Sequence, residues 1–185
     1  MNYIPMDTEG GPDNLLRVYE QAAEDLRAAG AQWYAVAHAA LQAIAEQTGH
    51  TLPVTVGVAA VLSPFLSWDM NLKAAEAVLT GQTGPGFKHN QVKAFAITGG
   101  APPETVLSGP KVTAFYDNLL HPDHPELVVV DRHIVRVWAG GGPRGQYGCK
   151  NAMYHRIADD VKAGALQVGL PFHHFQAAVW LAARS

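Results

Sequence analysis

Two short stretches hold residues whose types and spacing suit chemistry. In VVVDRHIVRVW, residues 128–138, one acid, two arginines and a histidine stand inside a run otherwise of valine, isoleucine and tryptophan. A carboxylate such as Asp131, at the edge of an apolar wall, has a charge and a proton affinity that a site can exploit. It is equally a good helix N-cap. Beyond it Ile134, Val135, Val137 and Trp138 recur at helical spacing, and Arg132 and Arg136 share the opposite face one turn apart. Spacing alone favours a capped helix with two solvated arginines and leaves a chemical role open. The second stretch is LSGPKVTAF, residues 107–115, where the turn Ser108-Gly109-Pro110 leads into a helix beginning near Lys111. Backbone N–H groups at such a helix start suit a phosphate oxygen, although on its own a Ser-Gly-Pro turn is most often only a turn.

The elements that must position these residues read as helices. GPDNLLRVYEQAAEDLRAAG (11–30) has a cap signal at Asp13, an amphipathic apolar pattern and Gly30 as a stop. A second, alanine-rich helix over 31–49 is closed by Gly49. PVTVGVAAVLS (53–63) is apolar on nearly every side and starts with proline, so it is a buried helix or a buried strand; helix is preferred because no convincing partner strand exists. Ser67 is placed to cap a helix over 68–81, the turn-rich 83–87 precedes a helix over 88–100, and 102–120 reads as helix, tight turn, helix. Only Leu127 to Val130 look strand-like. After a Gly-rich loop, GGGPRGQYG, two helices over about 150–168 and 171–184 complete an all-α chain of roughly eight or nine helices.

Composition sets the bounds. With 185 residues, 48% hydrophobic and 16% charged, the chain is expected to be one soluble domain over 1–185, with a flexible start over 1–12. The single cysteine, Cys149, excludes an internal disulfide framework and any four-cysteine metal or iron–sulfur site. A secretory leader and a membrane span are not expected. A net charge of −3 gives no whole-molecule attraction to nucleic acid, so any nucleic-acid surface must be a local patch. Nine histidines, with HPDH at 121–124 and His173-His174, raise zinc, but paired Cys/His spacing of the structural type is lacking and no metal or other cofactor is expected.

Taken together, LSGPKVTAF followed twenty residues after its lysine by VVVDRHIVRV resembles the helix-hairpin-helix DNA glycosylase superfamily, nearest its 8-oxoguanine glycosylase/lyase branch. FQAAVWLAAR (175–184) is similar to that branch's final pocket helix, and VAAVLSPFLSWDMNLKAAEAVL (58–79) to the early core helix, wedge loop and following helix. The resemblance covers about residues 54 to 184. It implies a helical fold of two lobes with a cleft between them, and a monomer acting on DNA in the cytoplasm, near the nucleoid. Departures exist as well. The first glycine of the usual hairpin pair is Leu107, the wedge position often held by asparagine is Phe65, and neither the extra β-domain nor the cysteine cluster of some relatives has a counterpart.

What the resemblance implies for individual residues follows the chemistry of cutting an N-glycosidic bond, in which the sugar becomes cationic as an extruded base departs. Asp131 would stabilise that charge and help prepare the nucleophile, and Lys111 would attack the sugar carbon to form a Schiff base, allowing strand nicking. Gln176 and Trp180 would contact and stack on the base, with Phe115 and Trp68 as further pocket residues. Ser108, Gly109, Arg132, His133, Arg136 and Phe65 would meet the DNA. Two other readings stand beside this one: an enzyme that modifies or exchanges groups on unusual bases, and a non-catalytic protein, either a helix-hairpin-helix DNA-binding module or simply an interaction protein whose Asp131 is a cap.

Overall fold

The computed structural model describes residues 2–3, 8–123, 126–141 and 147–185, and every substantial element among them is a helix. Ten occur: α1 (Pro12–Gln21), α2 (Glu24–Thr48), α3 (Leu52–Leu62), α4 (Trp68–Leu79), α5 (Lys88–Thr98), α6 (Pro103–Val106), α7 (Pro110–Leu120), α8 (Arg132–Trp138), α9 (Asn151–Gln167) and α10 (Phe172–Arg184). The other regular feature is a two-residue parallel pairing of β1 (Asn2–Tyr3) with β2 (Tyr147–Gly148). The all-α expectation therefore holds. Parts of the expected flexible start, the HPDH loop and the Gly-rich loop lie outside the described residues.

The chain divides into two compact units, one of residues 1–34 and 124–185, the other of residues 35–123. In the second unit α3 is central. From Thr55 to Leu62 every residue is buried, and α4, α5, α6 and α7 pack around it. This settles helix over strand at 53–63: with no partner strand beside it, the segment can satisfy its backbone only internally while burying all its sides. Each valine or leucine so buried contributes about 1.5–3 kcal/mol. Asn71 reaches across from α4, its Nδ2 donating to the Ala59 carbonyl at 3.0 Å. Ser67 caps α4 as its sequence predicts, accepting from the Met70 amide.

The first unit is built on Leu15, Leu16, Val128, Val130, Ile134, Val135, Trp138, Met153, Ile157, Val161, Phe175 and Val179, drawn from α1, α8, α9 and α10 and the segment that precedes α8. Two sequence expectations fail at its edge. Asp13 is not the cap of α1: the helix starts at Pro12 with Gly11 as N-cap and no side-chain cap bond. Proline at the first helical position needs no N–H, so the start is fixed without help from Asp13. Nor is Gly30 a stop. The break falls at Ala22, whose ψ of 139 turns the backbone extended, and α2 then runs unbroken from Glu24 to Thr48.

Gly30 has a different use. It is buried in α2, and a Cβ there would lie 2.5 Å from both the Cα and N of Ala178 in α10. The missing side chain is what lets the start of α2 lie directly on α10. Leu127 to Val130, strand-like in composition, is assigned to no strand. The Tyr154 phenol on α9 bridges its backbone, donating to the Val128 carbonyl at 2.8 Å and accepting from the Val130 amide at 3.3 Å. Val128, Val129 and Val130 are all buried.

Candidate functional site

Asp131 ends that pinned segment and starts α8. One carboxylate oxygen, Oδ1, accepts from the backbone amides of His133 at 2.8 Å and Ile134 at 3.0 Å. The other, Oδ2, accepts from the indole Nε1–H of Trp180 at 2.9 Å. Among the described residues the carboxylate is thus aimed from α8 by the cap and from α10 by the indole. The cap predicted from sequence is therefore present, and so is an arrangement that would direct the carboxylate.

The surroundings are basic. Arg136 is half-buried and its Nη2 donates to the Ala183 carbonyl at 2.5 Å, tying α8 to the last turn of α10. Arg132 is exposed, with Nε 3.3 Å from Nε2 of His133. The guanidinium carbon of Arg184 sits 4.3 Å over the Trp180 ring. Burial pulls the proton affinity of His133 down. Arg132, Arg184 and Arg136 act in the same direction, against the Asp131 carboxylate. His133 is thus favoured as a neutral imidazole, which meets a phosphate as a hydrogen-bond donor more than as a charge.

Gln176 and Trp180, one turn apart on α10, meet two consecutive residues of α2. The Tyr34 hydroxyl donates to Oε1 of Gln176 at 2.9 Å, and Gln176 is 4% exposed. Trp33 packs edge-on against Trp180, with centroids 5.6 Å apart and planes at 68°. Ala178, on which Gly30 rests, lies between the two. Sequence reasoning missed Trp33, Tyr34, Tyr154 and Arg184. An adjacent Trp-Tyr pair in an otherwise alanine-rich helix was a usable signal for the first two. For Tyr154 no local pattern exists.

Of the predicted residues in the second unit, Ser108 and Gly109 lie between α6 and α7, and Lys111 and Phe115 lie on α7. Gly109 is the N-cap of α7 with φ 86 and ψ 143, a backbone that favours glycine, and its carbonyl accepts from the amide of Thr113 at 3.1 Å. Leu107, standing where the resembled hairpin has its first glycine, has φ −66 and ψ 140, an extended conformation open to any residue. Lys111 is the second residue of α7 and is half-buried. Ser108 Oγ accepts from Nζ of Lys93 at 2.7 Å, which adds a cation to the turn that sequence reasoning did not single out. The Tyr116 hydroxyl of α7 donates to Glu104 of α6 at 2.8 Å; burial, then the Glu104 partner, pushes its phenol up.

Phe115 is buried and stands edge-on to Trp68, centroids 6.3 Å apart. Phe65 is the one non-glycine residue with positive φ among the described residues, at 67. It is 45% exposed and sits edge-on to Phe87 at 5.5 Å. A left-handed phenylalanine costs of order 1–3 kcal/mol, and such strain concentrates at functional positions. Among the described residues no group of three or more His, Cys, Asp or Glu side chains gathers as for a metal ion. Among them, too, no helix is long and apolar enough to cross a membrane.

No curated protein and no solved structure matches the chain. Its kinship is given by a family model that matches residues 4–185, nearly the whole length, and the chain belongs to that family, DUF7178, a family of unknown function.

Proposed function

We propose that the chain is a helix-hairpin-helix DNA glycosylase with strand-nicking activity, which removes a modified purine such as 8-oxoguanine after extruding the nucleotide. The observation that carries this reading is the hold on Asp131 by two α8 amides and the Trp180 indole, which fixes the direction of its carboxylate. A carboxylate aimed in advance costs no reorganisation when a positive charge develops beside it, which is how preorganised groups lower a barrier. Support comes also from the hairpin, where Gly109 and the start of α7 present a glycine turn and Lys111 in the order the resemblance requires.

In this reading the Lys111 amine attacks the sugar C1′ as the glycosidic bond breaks. The base leaves with the bonding pair and takes up a proton; the C1′–O4′ bond then breaks to open the sugar ring, O4′ takes up a proton that the nitrogen gives up, and the Schiff base remains. Asp131 opposes the charge on the sugar. Gln176 presents an amide to the base edge, and Arg132 with Arg184 gives a net-acidic chain the local positive charge that phosphate binding needs. Phe65 fills the space left by the extruded base.

Incubation with oligonucleotides bearing single lesions, with borohydride added, tests this. Base release and a covalent adduct that is lost in Lys111→Ala support the reading. No release and no adduct with any lesion overturn it. A second reading, a non-catalytic DNA-binding module, draws on the same cap bonds at Asp131, and it predicts lesion-independent binding with no release.

A further inference from the structure

The resemblance gives Trp180 to base stacking, but its polar edge is directed elsewhere. The indole N–H donates to Oδ2 of Asp131, the oxygen that the α8 amides do not use. The last torsion of an aspartate side chain is intrinsically broad, so a cap through one oxygen leaves the other free to swing. A donor on the second oxygen removes that freedom. Trp180 is itself held, by the guanidinium of Arg184 over its ring at 4.3 Å and by the edge-on Trp33 at 5.6 Å. Trp33 reaches that position because Gly30, three residues earlier in α2, lies against the backbone of Ala178.

We propose that Trp180 is the positioning residue of Asp131: its indole N–H fixes the plane of the carboxylate, and Arg184 and Trp33 fix the indole. For the rate of base release this rests on the glycosylase reading above; for the orientation of Asp131 it does not. The indole contributes a directed hydrogen bond more than a free stacking face, since one face is covered by Arg184.

Two measurements on the full chain test it. The four tryptophans give four indole N–H resonances. Asp131→Ser keeps an oxygen for the α8 cap but removes the one that faces Trp180. The Trp180 resonance should then move upfield, while that of Trp138, whose indole donates to Asp160 at 2.7 Å, stays in place. An unmoved Trp180 resonance overturns the proposal, and this arm needs no active enzyme and no change at Trp180. In single-turnover base release, Trp180→Phe keeps a ring and loses the donor. The rate should fall at least about tenfold, the loss expected for a hydrogen bond to a charged group, with duplex affinity within about twofold. An unchanged rate, or a loss confined to affinity as for a stacking contact, overturns it. Should the unaltered chain release no base from any lesion, the glycosylase reading fails by itself, and the indole resonance still decides the hold on Asp131.

Discussion

Replacing Asp131 separates its structural role from the chemical one proposed for it, because a cap needs one oxygen and the proposed chemistry the whole carboxylate. In Asp131→Ala the amides of His133 and Ile134 lose their shared acceptor and the Trp180 indole loses its partner. Loss of a cap costs about 0.5–2 kcal/mol. A donor left unpaired when buried costs about 1–3 kcal/mol, and the part-buried indole falls at the low end because water can reach it. The sum is about 1.5–3 kcal/mol. Asp131→Ser retains a capping oxygen and loses only the indole bond, so it should cost about 1 kcal/mol. Both variants lack the carboxylate, and base release should fall at least about a hundredfold in each. Urea unfolding read by tryptophan fluorescence supplies the first comparison, and release from a lesion-bearing duplex the second. Serine as destabilising as alanine would refute the cap assignment. Serine that still releases base at the original rate would refute the chemical one.

Three further outcomes follow from other residues. Tyr154→Phe removes the hydroxyl that joins the Val128 carbonyl to the Val130 amide, both buried, and should cost about 1–3 kcal/mol in urea unfolding; a change within about 0.5 kcal/mol would show that the phenol does not hold the segment. Gly30→Ala places a Cβ 2.5 Å from the Ala178 backbone and should destabilise by about 1–3 kcal/mol, whereas a stabilised variant, as expected of alanine in an unhindered helix, would contradict the close approach. The proton affinity of His133 is lowered by burial and by Arg132, Arg184 and Arg136, against Asp131, so between the folded and unfolded values the unfolded chain binds more protons. Its contribution to stability is therefore complete above about pH 6.5 and is lost as pH falls toward the folded value. Melting temperature should fall from pH 7 to pH 5 and fall less in His133→Gln; equal slopes would contradict this, with half-buried His174 adding a dependence of the same sign in both.

What the sequence made legible was mostly local. Periodicity placed most of the helices, and Ser67, Gly49 and Asp131 marked ends where the structure has them, because caps act within one turn. Gly30 misled for the same reason. Glycine reads as a helix stop only when its neighbours alone are considered, and its use in α2 depends on Ala178, far along the chain. The valines before Asp131 looked like strand because β-branched residues suit any extended buried backbone, whether or not a ladder forms. What holds them is a tyrosine hydroxyl from α9, and no spacing rule connects residue 154 to residue 130. At the candidate site, Asp131 and Trp180 were both singled out for separate roles. That one donates to the other was not readable, because the contact joins residues 49 apart in sequence on two different helices.

The central claim is that this chain breaks a glycosidic bond with Lys111 and Asp131. Borohydride trapping across a panel of duplexes, each with one modified purine, tests it most directly, with Lys111→Ala and Asp131→Asn run in parallel. The account predicts a covalent adduct with at least one lesion, its loss in Lys111→Ala, and loss of base release in Asp131→Asn at unchanged fold. Release that persists in Asp131→Asn, an adduct that persists in Lys111→Ala, or no release from any lesion would contradict it.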